Sequence, residues 1–126
     1  LNSYQQKLHG RLHSINDEPA LIDQYGSKWW YKDDELHRDN DDPAVVHPNG
    51  TMMWYKNGKC HRDNGLPAII SATGGDLWYV NGIYLSGKQI KLLKKINASE
   101  IKYLPWLLNE DPALNSVIEK RMNLGI

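Results

Sequence analysis

A period of 24 residues constrains this chain more than any other feature. Residues 12–35, 36–59 and 60–83 align without gaps, and the same residue types return at steps of 24. They are His13, His37 and His61; Pro19, Pro43 and Pro67; Ala20, Ala44 and Ala68; Gly26, Gly50 and Gly74; Trp30, Trp54 and Trp78; Tyr31, Tyr55 and Tyr79. A tandem period of this length implies one supersecondary unit per copy, stacked so that neighbours bury what a single unit cannot. A partial unit comes first, because Lys7–His13 matches Lys56–His61 in its turn and its His.

Each unit carries two turn signals. Asn57-Gly58 lies between β-forming residues, and this dipeptide suits the two positive φ values of a type I′ hairpin turn. Asn81-Gly82 repeats the signal, His9-Gly10 approximates it and Asp33-Asp34 is a degraded form. The second turn, Pro48-Asn49-Gly50, puts Gly third, as a three-residue loop with a G1 bulge requires. Gln24-Tyr25-Gly26 and Ala72-Thr73-Gly74 are its counterparts. A meander of antiparallel strands follows. The first turn predicts Tyr55 opposite Cys60, each Trp opposite the next unit's His, and Gln6 opposite His13. The second predicts Ala44 opposite Trp54 if its loop has three residues, and Val45 opposite Trp54 if it has two.

Strict alternation places Trp30, Trp54 and Trp78 on one face and Tyr31, Tyr55 and Tyr79, with Trp29, Met53 and Leu77, on the other. A sheet apolar on both sides must be curled, covered or paired with a second chain, so homodimerisation is expected. After Ser86 the pattern turns helical. Ser86 is placed to cap a helix over Gly87–Lys95, Asn97-Ala98-Ser99-Glu100 reads as a capping box, and Asp111-Pro112 opens a third helix carrying Leu114, Val117, Ile118 and Met122. Pro105 interrupts the second, and Trp106, Leu107 and Leu108 form a packing centre. The organisation is therefore three hairpin repeats and a half repeat over residues 1–85, then a helical cap over 86–126 that closes the sheet's open edge.

Charge balances at 15 basic and 15 acidic residues, which removes any global attraction to polyanions. The balance is uneven along the chain: residues 1–85 hold eight Lys/Arg against eleven Asp/Glu, and residues 86–126 seven against four. Cys60 is the only cysteine, so no intramolecular disulfide can form, and a reducing, cytoplasmic setting is expected. No apolar run approaches a membrane span and no signal-peptide pattern stands at the start.

The stretch Trp54-Tyr55-Lys56-Asn57-Gly58-Lys59-Cys60-His61-Arg62-Asp63-Asn64-Gly65-Leu66-Pro67-Ala68 resembles the divergent MORN-like repeats of bacteriophage and giant-virus proteins. The resemblance covers about residues 4–85. It implies a mainly β fold, a curved antiparallel sheet of hairpin repeats, and a protein-binding scaffold; some members bind anionic lipids or dimerise. The usual His-Gly step after the aromatic strand is missing here, since only His9-Gly10 keeps that dipeptide, and in the turn.

Several constellations invite a chemical reading. His37-Arg38-Asp39-Asn40 and His61-Arg62-Asp63-Asn64 carry the letters of a kinase catalytic loop but lack its companion motifs, so a locally bonded turn is expected. The His ladder would space its rings by two strand separations, roughly 10 Å, too far to share a metal. Stacking of His on Trp is expected instead. The acids Asp39, Asp41 and Asp42 lack the length and glutamate of a calcium loop. Cys60 and His61, adjacent on a strand, point to opposite faces, which argues for a packed thiol rather than a nucleophile. No cofactor, no metal and no catalysis is expected. For binding, the candidates are Tyr31, Tyr55 and Tyr79, with Arg38 and Arg62 at equivalent rim positions, because aromatic side chains and Arg dominate interface hot spots. The competing account makes the same rings core. Lys91, Lys94 and Lys95, with Lys88 and Lys102, form a basic surface over 87–102 that would suit anionic membrane or nucleic acid, or would be an ordinary solvated helix face. The leading expectation is a non-enzymatic scaffold that binds another protein, such as a phage protein that disables a host defence factor.

Overall fold

The computed structural model describes residues 3–95, with side chains up to Lys91. Two compact units divide the chain, Leu1–Gly82 and Ile83–Ile126.

In the first unit, six short strands run antiparallel in one meandering sheet: β1 (Tyr4–Gln5), β4 (Leu21–Ile22), β5 (Lys28–Trp29), β8 (Val45–Val46), β9 (Met52–Met53) and β12 (Ile69–Ile70). Beside it stand three separate hairpins, β2 (Lys7–Leu8) with β3 (Arg11–Leu12), β6 (Tyr31–Lys32) with β7 (Glu35–Leu36), and β10 (Tyr55–Lys56) with β11 (Lys59–Cys60). Strand β13 (Tyr79–Val80) follows. The first two repeats thus each give two strands to the shared sheet and one hairpin to its side, and the third gives β12 with a single bridge from Ile69 to Leu77.

The two turn readings hold. Tyr55 pairs with Cys60 and Lys56 with Lys59, leaving Asn57-Gly58 as a two-residue loop with φ of 49° and 80°. Asp33 and Asp34 adopt the same two positive angles without a glycine, at 49° and 68°. A residue with a Cβ is strained there by about 1–2 kcal/mol, and the Asp34 carboxylate offsets this by accepting the Leu12 amide at 2.6 Å. In the second turn Val45 pairs with Met53 and Val46 with Met52, and the His47 amide donates to Thr51 at 2.9 Å. The loop therefore has three residues, with Gly50 at φ 96°, and Ala44 falls opposite Trp54. Each unit has a third turn, at Asn16-Asp17, Asn40-Asp41 and Asn64-Gly65, where both residues again have positive φ.

The strict alternation does not survive, and the reason lies at the Trp. Trp54 donates its amide to Ala68 in the shared sheet at 2.7 Å, while its carbonyl accepts the His61 amide in the hairpin at 3.0 Å. Trp30 does the same with Ala44 and His37. One residue divides its backbone groups between two sheets, so the two-residue parity of side chains resets there. Tyr55 and Tyr79 consequently pack against the same cluster as Trp54, Cys60 and Ala68, joined by Met52, Ile69 and Ile70. Ala20, Ala44 and Ala68 are wholly buried and Trp30 and Trp54 nearly so. The expectation of two apolar faces rested on the alternation that this geometry replaces.

Successive hairpins are stitched by backbone. The amides of Asp34, Gly58 and Gly82 donate to the carbonyls of Leu12, Leu36 and Cys60 at 2.8–2.9 Å, a repeating bond that ties each hairpin turn to the hairpin before it.

In the second unit, β14 (Ile83–Tyr84) precedes α1 (Gly87–Lys95). The Ser86 hydroxyl accepts the Gln89 amide at 3.3 Å and the Gln89 side-chain oxygen accepts the Ser86 amide at 2.8 Å, a reciprocal capping box that starts the helix where the sequence predicts. The second and third expected helices lie outside the described residues. Among those described, no helix is long and apolar enough to cross a membrane.

Candidate functional site

Of the residues that invited a catalytic reading, the His and Asp form a bracket within each unit, and the Arg between them reaches to the unit before. The His37 Nδ1 accepts the Asn57 amide at 3.0 Å, and its Nε2–H faces Asp39 Oδ1 at 2.9 Å. His61 repeats this with the Asn81 amide at 3.0 Å and Asp63 at 2.7 Å. A nitrogen that accepts cannot carry the proton, so both neutral rings are Nε2–H tautomers. The Asp63 carboxyl is held below the usual carboxylate range by its bond to the Lys56 ammonium at 2.7 Å and then by His61.

Arginine, rather than histidine, stacks on tryptophan. The Arg38 guanidinium lies 3.8 Å from the Trp30 ring centre and Arg62 lies 3.8 Å from that of Trp54. The physical reason is that the His ring is anchored at both nitrogens, while the longer Arg reaches back across the unit boundary. Arg38 grips both oxygens of Asp17 at 3.0 and 3.1 Å and donates to the Pro43 carbonyl at 3.0 Å. Arg62 does likewise with Asp41, at 3.0 and 3.3 Å, and with Pro67. Bonding to Arg38 keeps the Asp17 carboxyl below its ordinary range. The same turn residues hold the indoles: Trp30, Trp54 and Trp78 donate Nε1–H to the carbonyls of Asp17, Asp41 and Gly65.

This web was missed in the sequence, although a signal for it exists. Where Asp17 and Asp41 stand the third unit has Gly65, and where Arg38 and Arg62 stand Ser86 follows, so the two positions change together. Such joint loss marks a contact.

The candidate binding residues fall in different places. Tyr31 and Arg38 line an open recess of about 280 Å³ shared with His13, Ser14, Asp17, Trp30, Lys32, His37, Asp39 and Asn40. Tyr55 and Tyr79 are half-buried in the Trp54 cluster, and Arg62 belongs to the next Arg–Trp stack, so the structure does not join these three to that recess. Desolvation raises the Tyr31 and Tyr55 hydroxyls above their usual range. Lys91 is exposed on α1, and Lys94 and Lys95 are helical positions of the same element. Cys60 is buried and its thiol is pushed up to about 11, which keeps it protonated at neutral pH. Tyr25, absent from the sequence-based candidates, is the most exposed of the large apolar side chains described, at 77%. Its position in the middle of a three-residue loop was the available signal.

The fold and its inter-unit contacts define an antiparallel β-hairpin repeat protein. No family model, no curated protein and no solved structure matches the chain.

Proposed function

We propose that the chain is a non-enzymatic, MORN-like repeat scaffold that binds another protein. The observation that carries this reading is the fate of its reactive-looking groups. His37 and Asp39, with His61 and Asp63, are engaged in bonds that brace their own units, and Arg38 and Arg62 in bonds that hold one unit to the next. What such an array offers outward is a shaped surface: the half-exposed Tyr31, the recess beside it and the projecting Tyr25. By analogy with the viral proteins it resembles, the most concrete version is a phage product that captures and disables a host defence factor in the host cytoplasm.

Affinity capture from host lysate, followed by a salt series, tests this. One protein retained in high salt supports the reading. Binding to anionic vesicles or DNA that disappears with salt supports action through the basic helix and overturns it. Sedimentation velocity tests homodimerisation in the same preparation.

A further inference from the structure

The units differ at one position of the His bracket. Two residues beyond His37 and His61 stand Asp39 and Asp63, which face the imidazole Nε2–H at 2.9 and 2.7 Å. Two residues beyond His13 stands Ile15, 37% exposed. His13 is engaged at Nδ1 alone, which accepts the Asp33 amide at 3.3 Å; the Asp33 carboxylate stands 3.4 Å from the same nitrogen, an ion pair only where the ring is protonated. Among the described residues its Nε2 has no partner. Its side chain is 24% exposed, against 11% for both later histidines, so the ring edge that its counterparts use for an acid is open.

His13 lines the 280 Å³ recess together with Ser14, Trp30, Tyr31 and Lys32. Among the described residues the Lys32 ammonium also has no partner, whereas its counterpart Lys56 donates to Asp63 at 2.7 Å. The two carboxylates bordering the recess are already engaged, Asp17 by Arg38 and Asp39 by His37. The recess therefore presents two donors that bond no acceptor among the described residues, beside two aromatic rings.

The geometry points to a binding site for a carboxylate side chain of a partner protein, accepted by His13 Nε2–H with Lys32 as the counter-charge. The ligand takes the role that Asp39 and Asp63 play inside the later units. This inference rests on the protein-binding reading above. It commits to an aspartate or glutamate side chain because that is the chemistry the fold itself places on the equivalent histidines. Charge-assisted bonds of this kind are roughly twice as strong as neutral ones, so a glutamine in the same place binds at least about tenfold more weakly.

The test uses the full chain, labelled with nitrogen-15, and a blocked pentapeptide with one central glutamate between serines and glycines. Its glutamine counterpart is the control. The glutamate peptide shifts the His13 ring and Ser14 amide signals saturably, and the glutamine peptide needs at least about ten times the concentration. Ile15→Asp installs the acid that the later units possess. Because Ile15 is exposed, the substitution leaves the unfolding midpoint in place while abolishing the peptide response, and Lys32→Gln weakens it. Equal shifts with both peptides, or an unchanged response in Ile15→Asp, overturn the site. A lysate protein retained equally by the wild type and Ile15→Asp also overturns it, while leaving the protein-binding reading intact. A glutamate response with no protein retained from lysate removes the protein source of the carboxylate, and with it that reading.

Discussion

The first repeat and the second differ in how completely they are wired. In the second, His37 is held at both nitrogens and Arg38 covers Trp30 while gripping Asp17. In the first, the position of Arg38 is Ser14, that of Asp39 is Ile15, and that of Trp30, one period earlier, is Gln6. Gln6 and Ser14 make smaller substitutes: the Gln6 side-chain oxygen accepts the Ile15 amide at 2.8 Å and the Ser14 hydroxyl accepts the Tyr31 amide at 3.1 Å. Backbone pairing continues regardless, since His13 still donates its amide to Gln6 at 3.2 Å and β1 still pairs with β4. The β scaffold is thus separable from the side-chain web laid over it. Where the web is incomplete, polar groups are released toward solvent, and that is where the recess lies.

The contrast is broken most forcefully at the Trp position. Trp54→Ala removes a ring that is 6% exposed and packed with Cys60 and Ala68, and is expected to cost about 3–5 kcal/mol in urea unfolding. Gln6→Ala, one web position at the incomplete end, should cost about 1 kcal/mol, the value of its hydrogen bond. Equal losses would mean that the two ends are equally wired. Arg62→Ala comes next, at about 2–3 kcal/mol, because it removes charge-assisted bonds to Asp41 together with the stack on Trp54. A double-mutant cycle of Arg62→Ala with Asp41→Ala should return coupling of about 1 kcal/mol or more; additive losses would leave only the stack. Ala44→Leu sharpens the packing side of the comparison. With Ala44 wholly buried opposite Trp54, the larger side chain should destabilise by about 1–3 kcal/mol without releasing any polar group.

The backbone of this protein was legible because its signals are local. Asn57-Gly58 states its own φ values, Gly50 states the loop length, and Ser86 with Gln89 states a helix start. The hairpin register follows from those alone, whereas Ala44 opposite Trp54 was one of two pairings left open, and the three-residue loop selects it. The side-chain web was less legible because its links span 13, 20 and 21 residues, as in Trp54 to Asp41, His37 to Asn57 and Arg62 to Asp41. No periodicity of strand or helix reports such a distance. Two errors have different origins. The two-faced sheet assumed a continuous strand and fails at Trp54, where the chain leaves one sheet for another, while stacking of His on Trp fails because both ring nitrogens are engaged elsewhere. For the candidate site, Tyr31 and Arg38 were named in advance. The open edge of His13 was visible only as Ile15 standing in an acidic position.

The smallest effect concerns the Lys56–Asp63 pair, which the preceding unit does not reproduce with Lys32 and Asp39. Lys56 donates to Asp63 at 2.7 Å, which lowers the carboxyl and raises the ammonium. A carboxyl lowered on folding contributes stability that is present above its unfolded value of 3.8 and lost as pH falls through the lower folded value. An ammonium raised on folding contributes below 10.5 and is lost as pH rises through its higher folded value. Both side chains are more than 40% exposed, at 44% and 45%, so screening holds the contribution to under about 1 kcal/mol. Lys56→Ala should therefore lower the urea midpoint slightly at neutral pH, lose that deficit below pH 3.8, and lose it also at about 0.5 M salt, where the Debye length falls below the range of exposed charges. Lys32→Ala should leave the midpoint unchanged at every pH, because the free ammonium beside His13 holds nothing within the fold. A deficit of equal size in Lys32→Ala would show that Lys32 is already bonded to Asp39 in solution, and would close the recess to an outside carboxylate.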